Sequence, residues 1–274
     1  MSGCLYVVAT PIGNLEDMTL RAISVLKEVD AIYCEDTRHS RKLTDHFGIA
    51  KPLISYHNFN ERDRCDEIAS RVERGERVAL VSDAGTPLIA DPGYRVVAAL
   101  VERGLPVIPI PGASAAAAAL SVSGLPSDSY YFGGFLPRKA AARRALLESL
   151  RSLETTLVFY EAPHRILESL EDVRVACGNP KVVLCRELTK LHEEVLRGSA
   201  QTLRDELSAR RHVQGEFTVL IGKPTESTSA VDPVQRVLEL ERGGLSRMNA
   251  IKQVARETGK PKREVYQAVE RQPS

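Results

Sequence analysis

"RVALVSDAGTPLIADPGYRVVAALVERG", residues 77–104, decides the fold class. Its first five residues form a short β-branched apolar run, the signature of a strand buried on both faces. From Tyr94 onward the pattern is helical, and it stops at Gly104. Between the two lies "SDAGTPLIADPG", residues 82–93, with two Asp, two Gly and two Pro. A plain strand-to-helix connection needs far less backbone control. An acid before the Pro92–Gly93 pair favours Asp91 as the N-cap of the following helix over a ligand contact.

The same alternation extends in both directions. "CLYVVAT", "AIYC", "PLISY", "VALVSD" and "PVIPIPG" read as strands, and "LRAISVLKEV", "TRHSRKLTDHFG", "RDRCDEIASRVERGE" and "YRVVAALVERG" as helices. This βα alternation predicts a largely parallel sheet with helices on both faces. A second series follows, with strands "SYYFGGF", "TTLVFYEA", "KVVLCREL" and "EFTVLIG" and helices "KAAARRALLESLRS" and "HRILESLEDVRVACG". The expected fold is α/β. An N-terminal α/β lobe spans 1–112, a second α/β lobe spans 113–224, and a small helical segment spans 231–274. Residues 223–233 are polar, rich in Ser, Thr and Pro, and read as a linker.

Composition narrows the function classes. The chain has 274 residues, is 43% hydrophobic and carries a net charge of +1, so any nucleic-acid surface must be a local basic patch. The N-terminus lacks a signal-peptide pattern and no apolar run of spanning length occurs, which predicts a cytoplasmic protein without a membrane segment. Five scattered cysteines form no C-x-x-C pair. They read as reduced, mostly buried thiols, and no metal site is suggested.

Ligands of open α/β sheets bind at the carboxyl ends of strands. Four loops stand there in the first lobe: "TPIGN" (10–14), "EDTRHSR" (35–41), "SDAGTPLIADPG" (82–93) and "PGASAAAAA" (111–119). Gly85 and Gly112 let backbone approach a ligand, while Pro11, Pro87 and Pro111 stiffen the turns. One such loop is an ordinary turn, but four at one sheet edge point to a clasp for a small polar molecule. None is a dinucleotide fingerprint or a Walker loop.

These residues resemble a known family. "LYVVATPIGNLEDMTLRAISVLKEVDAIYCEDTRHSRKL", "SDAGTPLIADPG", "PGASA", "FGGFLPRK", "FYEAPHR" and "GEFT" are similar, in order and over nearly the whole chain, to the RsmI family of small-subunit rRNA ribose methyltransferases. That family belongs to the tetrapyrrole-methylase-like class of S-adenosylmethionine (SAM) enzymes. The resemblance implies two α/β lobes with SAM in the cleft between them, a homodimer, and 2′-O-methylation of a decoding-centre cytidine. The partner is then small-subunit rRNA or the assembled small ribosomal subunit. The implied cofactor site comprises Pro11, Asp83, Gly85, Thr86, Pro87, Ile89, Ser114 and Ala115 from the first loops. Tyr160, Glu161, Ala162, Glu216, Phe217 and Thr218 complete it from the second lobe.

Methyl transfer to a ribose hydroxyl is helped by a base. Glu161, His164 and Glu35 are the candidates by motif, and the choice among them stays open, because Glu161 can equally pair with Arg165 at a helix start. RNA calls for positive charge near the cleft. Arg38, Arg41 and Lys42 form one cluster, and Arg138, Lys139, Arg143 and Arg144 another, although helical Arg pairs are often only a solvated face.

Residues 231–274 hold nine Lys and Arg against six Asp and Glu, a net of +3. Ser246 is a fitting N-cap. Ile251, Val254 and Ala255 follow at helical spacing, Gly259 interrupts, and Pro261 opens a helix with Val265 and Val269. This is a helix-turn-helix-like pair or, alternatively, a small packing or dimer appendage. Two rival functions remain: a tetrapyrrole-type methylase acting on a macrocycle, and a non-catalytic RNA-binding assembly factor with a degenerate SAM site.

Overall fold

The computed structural model of the chain describes residues 3–57, 59–223, 233–258 and 261–270. Two units are resolved, residues 1–223 and 224–274.

In the first unit, β1 (Cys4–Val8), β2 (Ala31–Cys34), β3 (Leu53–Ser55), β4 (Arg77–Leu80) and β5 (Val107–Ile110) form one sheet in the order β3-β2-β4-β1-β5. Every pairing in it is parallel. The two faces are covered by different helices. Helix α1 (Leu20–Glu28) buries Ala22 and Leu26 against Val8, Ile32 and Ala79, and the partly buried Leu43 of α2 (Thr37–His46) packs on the same side. On the other face α3 (Glu61–Glu73) and α4 (Tyr94–Glu102) set Ile68, Val72, Val96 and Leu100 against Leu5, Tyr33 and Leu80. Double coverage is why the strands read as continuous apolar runs rather than alternating ones.

The second sheet is mostly antiparallel, unlike the first. Strands β6 (Tyr130–Phe135), β7 (Thr156–Glu161), β8 (Lys181–Arg186), β9 (Glu194–Ser199) and β10 (Phe217–Ile221) take the order β6-β7-β10-β8-β9. Only β6 and β7 are parallel, and the other pairs are antiparallel. Strand β9 and helix α8 (Ala200–Ser208) were absent from the sequence reading. "EVLRGS" carries Arg, Gly and Ser at an edge, so its strand character comes from pairing with β8 rather than from propensity. Helices α6 (Ala140–Leu150) and α7 (Ile166–Cys177) cover one face together with α8, burying Leu147, Ile166, Leu170 and Leu203. Helix α5 (Ala115–Ser123) covers the other face with Ala116, Ala119 and Leu120. Its run of alanines lets that helix sit close to β10.

All five cysteines are buried and none is in a disulfide. Among the described residues no helix is long and apolar enough to cross a membrane.

The second unit contains α9 (Pro233–Arg242), α10 (Arg247–Thr258) and α11 (Lys262–Glu270) around Val234, Val237, Ile251, Val254, Val265 and Val269. The pair read from the sequence is α10 and α11, with Ser246 just ahead of α10. Helix α9 adds the third side of the core. Gly259 and linker residues 224–232 lie outside the described residues.

Candidate active site

The connections after β1 and β4 lead to helices on opposite faces of the first sheet, and β1 and β4 are neighbours. A crevice therefore opens between their carboxyl ends. The loops at that edge are laced together by backbone. Thr10 N–H donates to the Gly85 carbonyl at 2.8 Å, and Gly85 N–H donates back to the Thr10 carbonyl at 3.1 Å. Thr10 Oγ1 donates to the Ser82 carbonyl at 3.1 Å, and Thr86 Oγ1 to the Ala113 carbonyl at 3.2 Å. Three strand-end loops thus form one wall.

Its conformation explains the unusual residues of 82–93. Gly85 has φ +80, and a Cβ there would stand 3.4 Å from Ile12 Cγ2. Leu88 and Ala90 also lie in the left-handed region, at φ 72 and 70. Such a residue costs roughly 1–2 kcal/mol, and it persists where the surroundings over-determine it, often at functional sites. Gly93 has φ +137, with Leu88 Cδ1 only 2.8 Å from where its Cβ would be.

The opposite wall comes from the end of β7, the start of β10 and the turn after β8. Together the walls enclose about 490 Å³, within the range of small-molecule sites. Asp83, Gly85, Thr86, Ile89, Ser114 and Ala115 line it from one side. Tyr160, Glu161, Ala162, Glu216, Phe217 and Thr218 line it from the other, and Glu35, just past β2, lies on the first side. Tyr160 is held by the Ala116 N–H, which its hydroxyl accepts, and burial raises its pKa.

Several expected residues stand elsewhere. Pro11 and Pro87 are buried within their turns and do not line the cleft; they act through the backbone they stiffen. His164 is exposed on the turn that follows β7 and does not line the cleft, whose lining on that turn ends at Pro163. Glu161 lines the wall, but its carboxylate is fully engaged. It accepts the Ala162 N–H at 2.9 Å and the Ser169 hydroxyl, and pairs with Arg165 Nη2 at 3.2 Å. The helix-start pairing of Glu161 and Arg165 is what the structure shows.

Asp91 is a correction of the opposite kind. The N-cap of α4 is Gly93, with no side-chain cap, and Asp91 lines the cleft. It stands with Glu35 and Asp83 in one acidic wall. Burial, then the Asp91 and Asp83 carboxylates, pushes Glu35 up to about 7. Burial, then Asp83, pushes Asp91 up to about 6, against the hydrogen bond from Ser82. Asp83 Oδ1 accepts the Asp36 N–H at 3.3 Å. The charges acting on Glu35 and Asp91 are other carboxylates, not cations. Across the cleft, Lys190 Nζ binds Glu187 at 2.8 Å and Glu216 at 3.0 Å, so both acids share one cation.

The basic residues divide. Arg38 and Arg41 are exposed on α2, directly after Glu35, and Arg138 and Lys139 are exposed just past β6. Arg143 is 1% exposed. Its Nε and Nη2 both meet Asp172 Oδ2 at 2.6 Å, and Nη1 donates to the Pro137 carbonyl at 3.2 Å. Arg144 binds the other oxygen of the same Asp172. These two arginines tie α6 to α7; the inward turn of Arg143 rules it out as an RNA contact.

Sequence reading also missed Ile12, Ala90, Phe135, Glu187 and Lys190 in the lining. The Gly133–Gly134 pair before Phe135 signals a bulge. Lys190 and Glu187 carry no local signal, since they follow from the antiparallel pairing of β8 and β9.

A family model described as Tetrapyrrole (Corrin/Porphyrin) Methylases matches residues 4–204. The chain belongs to the tetrapyrrole methylase family. Curated relatives of this methylase include the "Ribosomal RNA small subunit methyltransferase I" of Halalkalibacterium halodurans, 46% identical over 273 residues, covering 96% of this chain and 93% of that protein. The Pseudomonas aeruginosa protein of the same name is 46% identical over 277 residues, covering 99% and 98%. Among solved structures, a diphthine synthase superposes with a TM-score of 0.63 at 16% identity, covering 81% of this chain and 90% of that one. A Thermus thermophilus uroporphyrin-III C-methyl transferase, solved with S-adenyl homocysteine, gives 0.54 at 18%, covering 81% and 98%. At such identities these structures speak for the methylase fold.

Proposed function

We propose that this methylase transfers a methyl group from SAM to a ribose 2′-hydroxyl of small-subunit rRNA, at a decoding-centre cytidine. The substrate assignment is supported by the 46% identity, over nearly the full length, to relatives named for small-subunit rRNA methylation. Exposed Arg38, Arg41, Arg138 and Lys139 beside cleft-lining segments support a phosphate-bearing substrate.

The cleft fits SAM on three counts. Its volume suits a ligand of that size. The left-handed turn at Gly85 brings backbone to the ligand without a Cβ. Its acidic wall of Glu35, Asp83 and Asp91 complements a sulfonium and an ammonium. Asp83, Gly85, Thr86, Ser114, Ala115 and Thr218 are the residues that would hold it. SAM, when bound, supplies a methyl group on a positively charged sulfur. The protein's part is to position the acceptor, exclude water and take up the hydroxyl proton.

Glu35 is the base in this reading. Glu161 is engaged by Arg165 and Ser169, Glu187 and Glu216 are both ion-paired to Lys190, and His164 is outside the cleft. Of the remaining cleft acids, Glu35 and Asp91 are the two that burial raises towards neutrality. Groups with pKa near the working pH are the effective proton acceptors. A homodimer in the cytoplasm is part of the same reading.

The test is transfer of labelled methyl from SAM to small ribosomal subunits, with a uroporphyrinoid macrocycle as the competing acceptor. Labelled rRNA supports the reading, and a labelled macrocycle with unlabelled rRNA refutes it.

A further inference from the structure

The ring of Phe135 is turned into the cleft by a dedicated backbone irregularity. In the β6–β7 ladder Phe132 pairs with Val158, whereas Phe135 pairs with Tyr160, so β6 carries one extra residue over that step. In a regular strand, residues three apart point to opposite faces. The bulge places Phe132 and Phe135 on the same face, and both rings pack edge-on against Tyr160, at 5.1 and 5.6 Å. Both glycines in the bulge are required. A Cβ at Gly133 would stand 2.3 Å from the Phe159 ring, and Gly134 has φ +62.

The product of this construction is costly by itself. Phe135 lines the cleft yet is 58% exposed, so one edge of its ring rests on Tyr160 and much of the rest faces open space. Burial of that ring would be favourable, because apolar surface leaves water. A bulge that needs two glycines has instead delivered it to the mouth of the site. Gly134 lies against Ala90 of the opposing wall, 3.7 Å from where its Cβ would be, so the ring stands where the two walls meet. Arg138 and Lys139 are exposed three and four residues further on.

We propose that Phe135 is a stacking platform for the target nucleobase of the RNA acceptor, positioning the ribose of that nucleotide in the cleft. This deepens the rRNA reading above and rests on it. A ring braced on one edge offers a flat π-face at little cost in side-chain entropy, and unstacked bases are held on such rings in single-stranded RNA. The neighbouring Arg138 and Lys139 fit the adjoining phosphates.

The test uses the full chain and the variants Phe135→Ala and Phe135→Trp, each first shown to melt like the parent protein. SAM affinity is measured by calorimetry, affinity for short single-stranded RNA of the acceptor sequence by fluorescence anisotropy, and methyl transfer with small ribosomal subunits. Phe135→Ala should leave SAM affinity within about twofold and weaken RNA binding by about tenfold or more, the size of one lost base stack. Phe135→Trp should keep most of the RNA affinity. A matching loss of SAM affinity in Phe135→Ala would make the ring a cofactor contact and overturn the proposal, as would unchanged RNA affinity. If the parent binds RNA through Phe135 but methylates no subunit, the rRNA reading fails and the platform stands. If the parent binds no RNA, both fail.

Discussion

Thr10 and Gly85 exchange both of their backbone hydrogen bonds, at 2.8 and 3.1 Å, although 75 residues separate them in sequence. This isolated pairing joins the loop after β1 to the loop after β4 and makes a continuous floor of two strand ends. Gly85 can take part because it adopts φ +80.

Gly85→Val should therefore damage the ligand site more than the fold. A β-branched residue is strained at that φ, and its Cβ would press on Ile12. The expected result is a SAM affinity at least about tenfold lower, about 1.4 kcal/mol, in a protein that still melts cooperatively. Calorimetry with SAM and a thermal melt check both halves.

The raised Glu35 and Asp91 give a pH signature. Their ionised forms are the active ones, so methyl transfer should rise through about pH 6 to 7. Stability should move the other way. The folded state holds the Glu35 proton to about 7, whereas the unfolded chain releases it near 4.5. Its contribution is fully present below 4.5 and lost as the pH rises through 7. Glu35→Gln should abolish most transfer, flatten the rate profile, and melt higher than the parent at pH 8. A melt that is no higher at pH 8 would show that Glu35 is not held protonated by the fold.

SAM binding itself should be proton-linked. A cationic ligand beside these carboxylates favours their ionised forms, so binding should release protons near pH 6.5 and tighten as the pH rises. Calorimetry in buffers of different ionisation enthalpy reads the released protons directly. Zero release would separate the acidic wall from the ligand.

The Arg143–Asp172 pair is a structural tie between α6 and α7. Arg143→Ala leaves a buried carboxylate short of its main partner and should cost about 3–5 kcal/mol. Arg144, half-exposed on the same Asp172, should cost much less. Arg143→Met with Asp172→Leu should recover most of the melting temperature. Equal effects of the two arginines would contradict the burial argument.

The exposed cations should behave differently. Arg138→Glu with Lys139→Glu should leave SAM affinity and the melt unchanged, weaken RNA binding and lessen its salt dependence. A chain ending at Lys223 keeps both sheets and should bind SAM as the parent does, because the three-helix unit has its own core. Transfer to small subunits should fall if that unit adds phosphate contacts. Full activity of a stable truncated protein would remove the unit from RNA recognition.

The first sheet was legible because both its faces are buried, so each strand is a short unbroken apolar run ended by turn residues. The second sheet was half legible. Antiparallel edge pairing recruits "EVLRGS" without any intrinsic preference, and that omission also hid Glu187 and Lys190. At the site, loops could be located but side-chain directions could not. Arg143 and Arg144 are adjacent in sequence, yet only Arg143 is buried. Asp91 reads as a cap because an acid ahead of Pro-Gly commonly is one; the left-handed turn at Leu88 and Ala90 aims it into the cleft region instead. Phe135 faces the site only because of a one-residue register shift, which alternation alone places on the wrong side.

The central claim is that a ribose 2′-oxygen is the acceptor. Its most direct test is alkaline hydrolysis of small-subunit rRNA after incubation of unmethylated subunits with this methylase and labelled SAM. A 2′-O-methyl group removes the nucleophile that cleaves the adjoining phosphodiester, so the label should be recovered in an alkali-resistant dinucleotide containing cytidine. Recovery of the label in ordinary mononucleotides would place the methyl on a base, and would contradict the account.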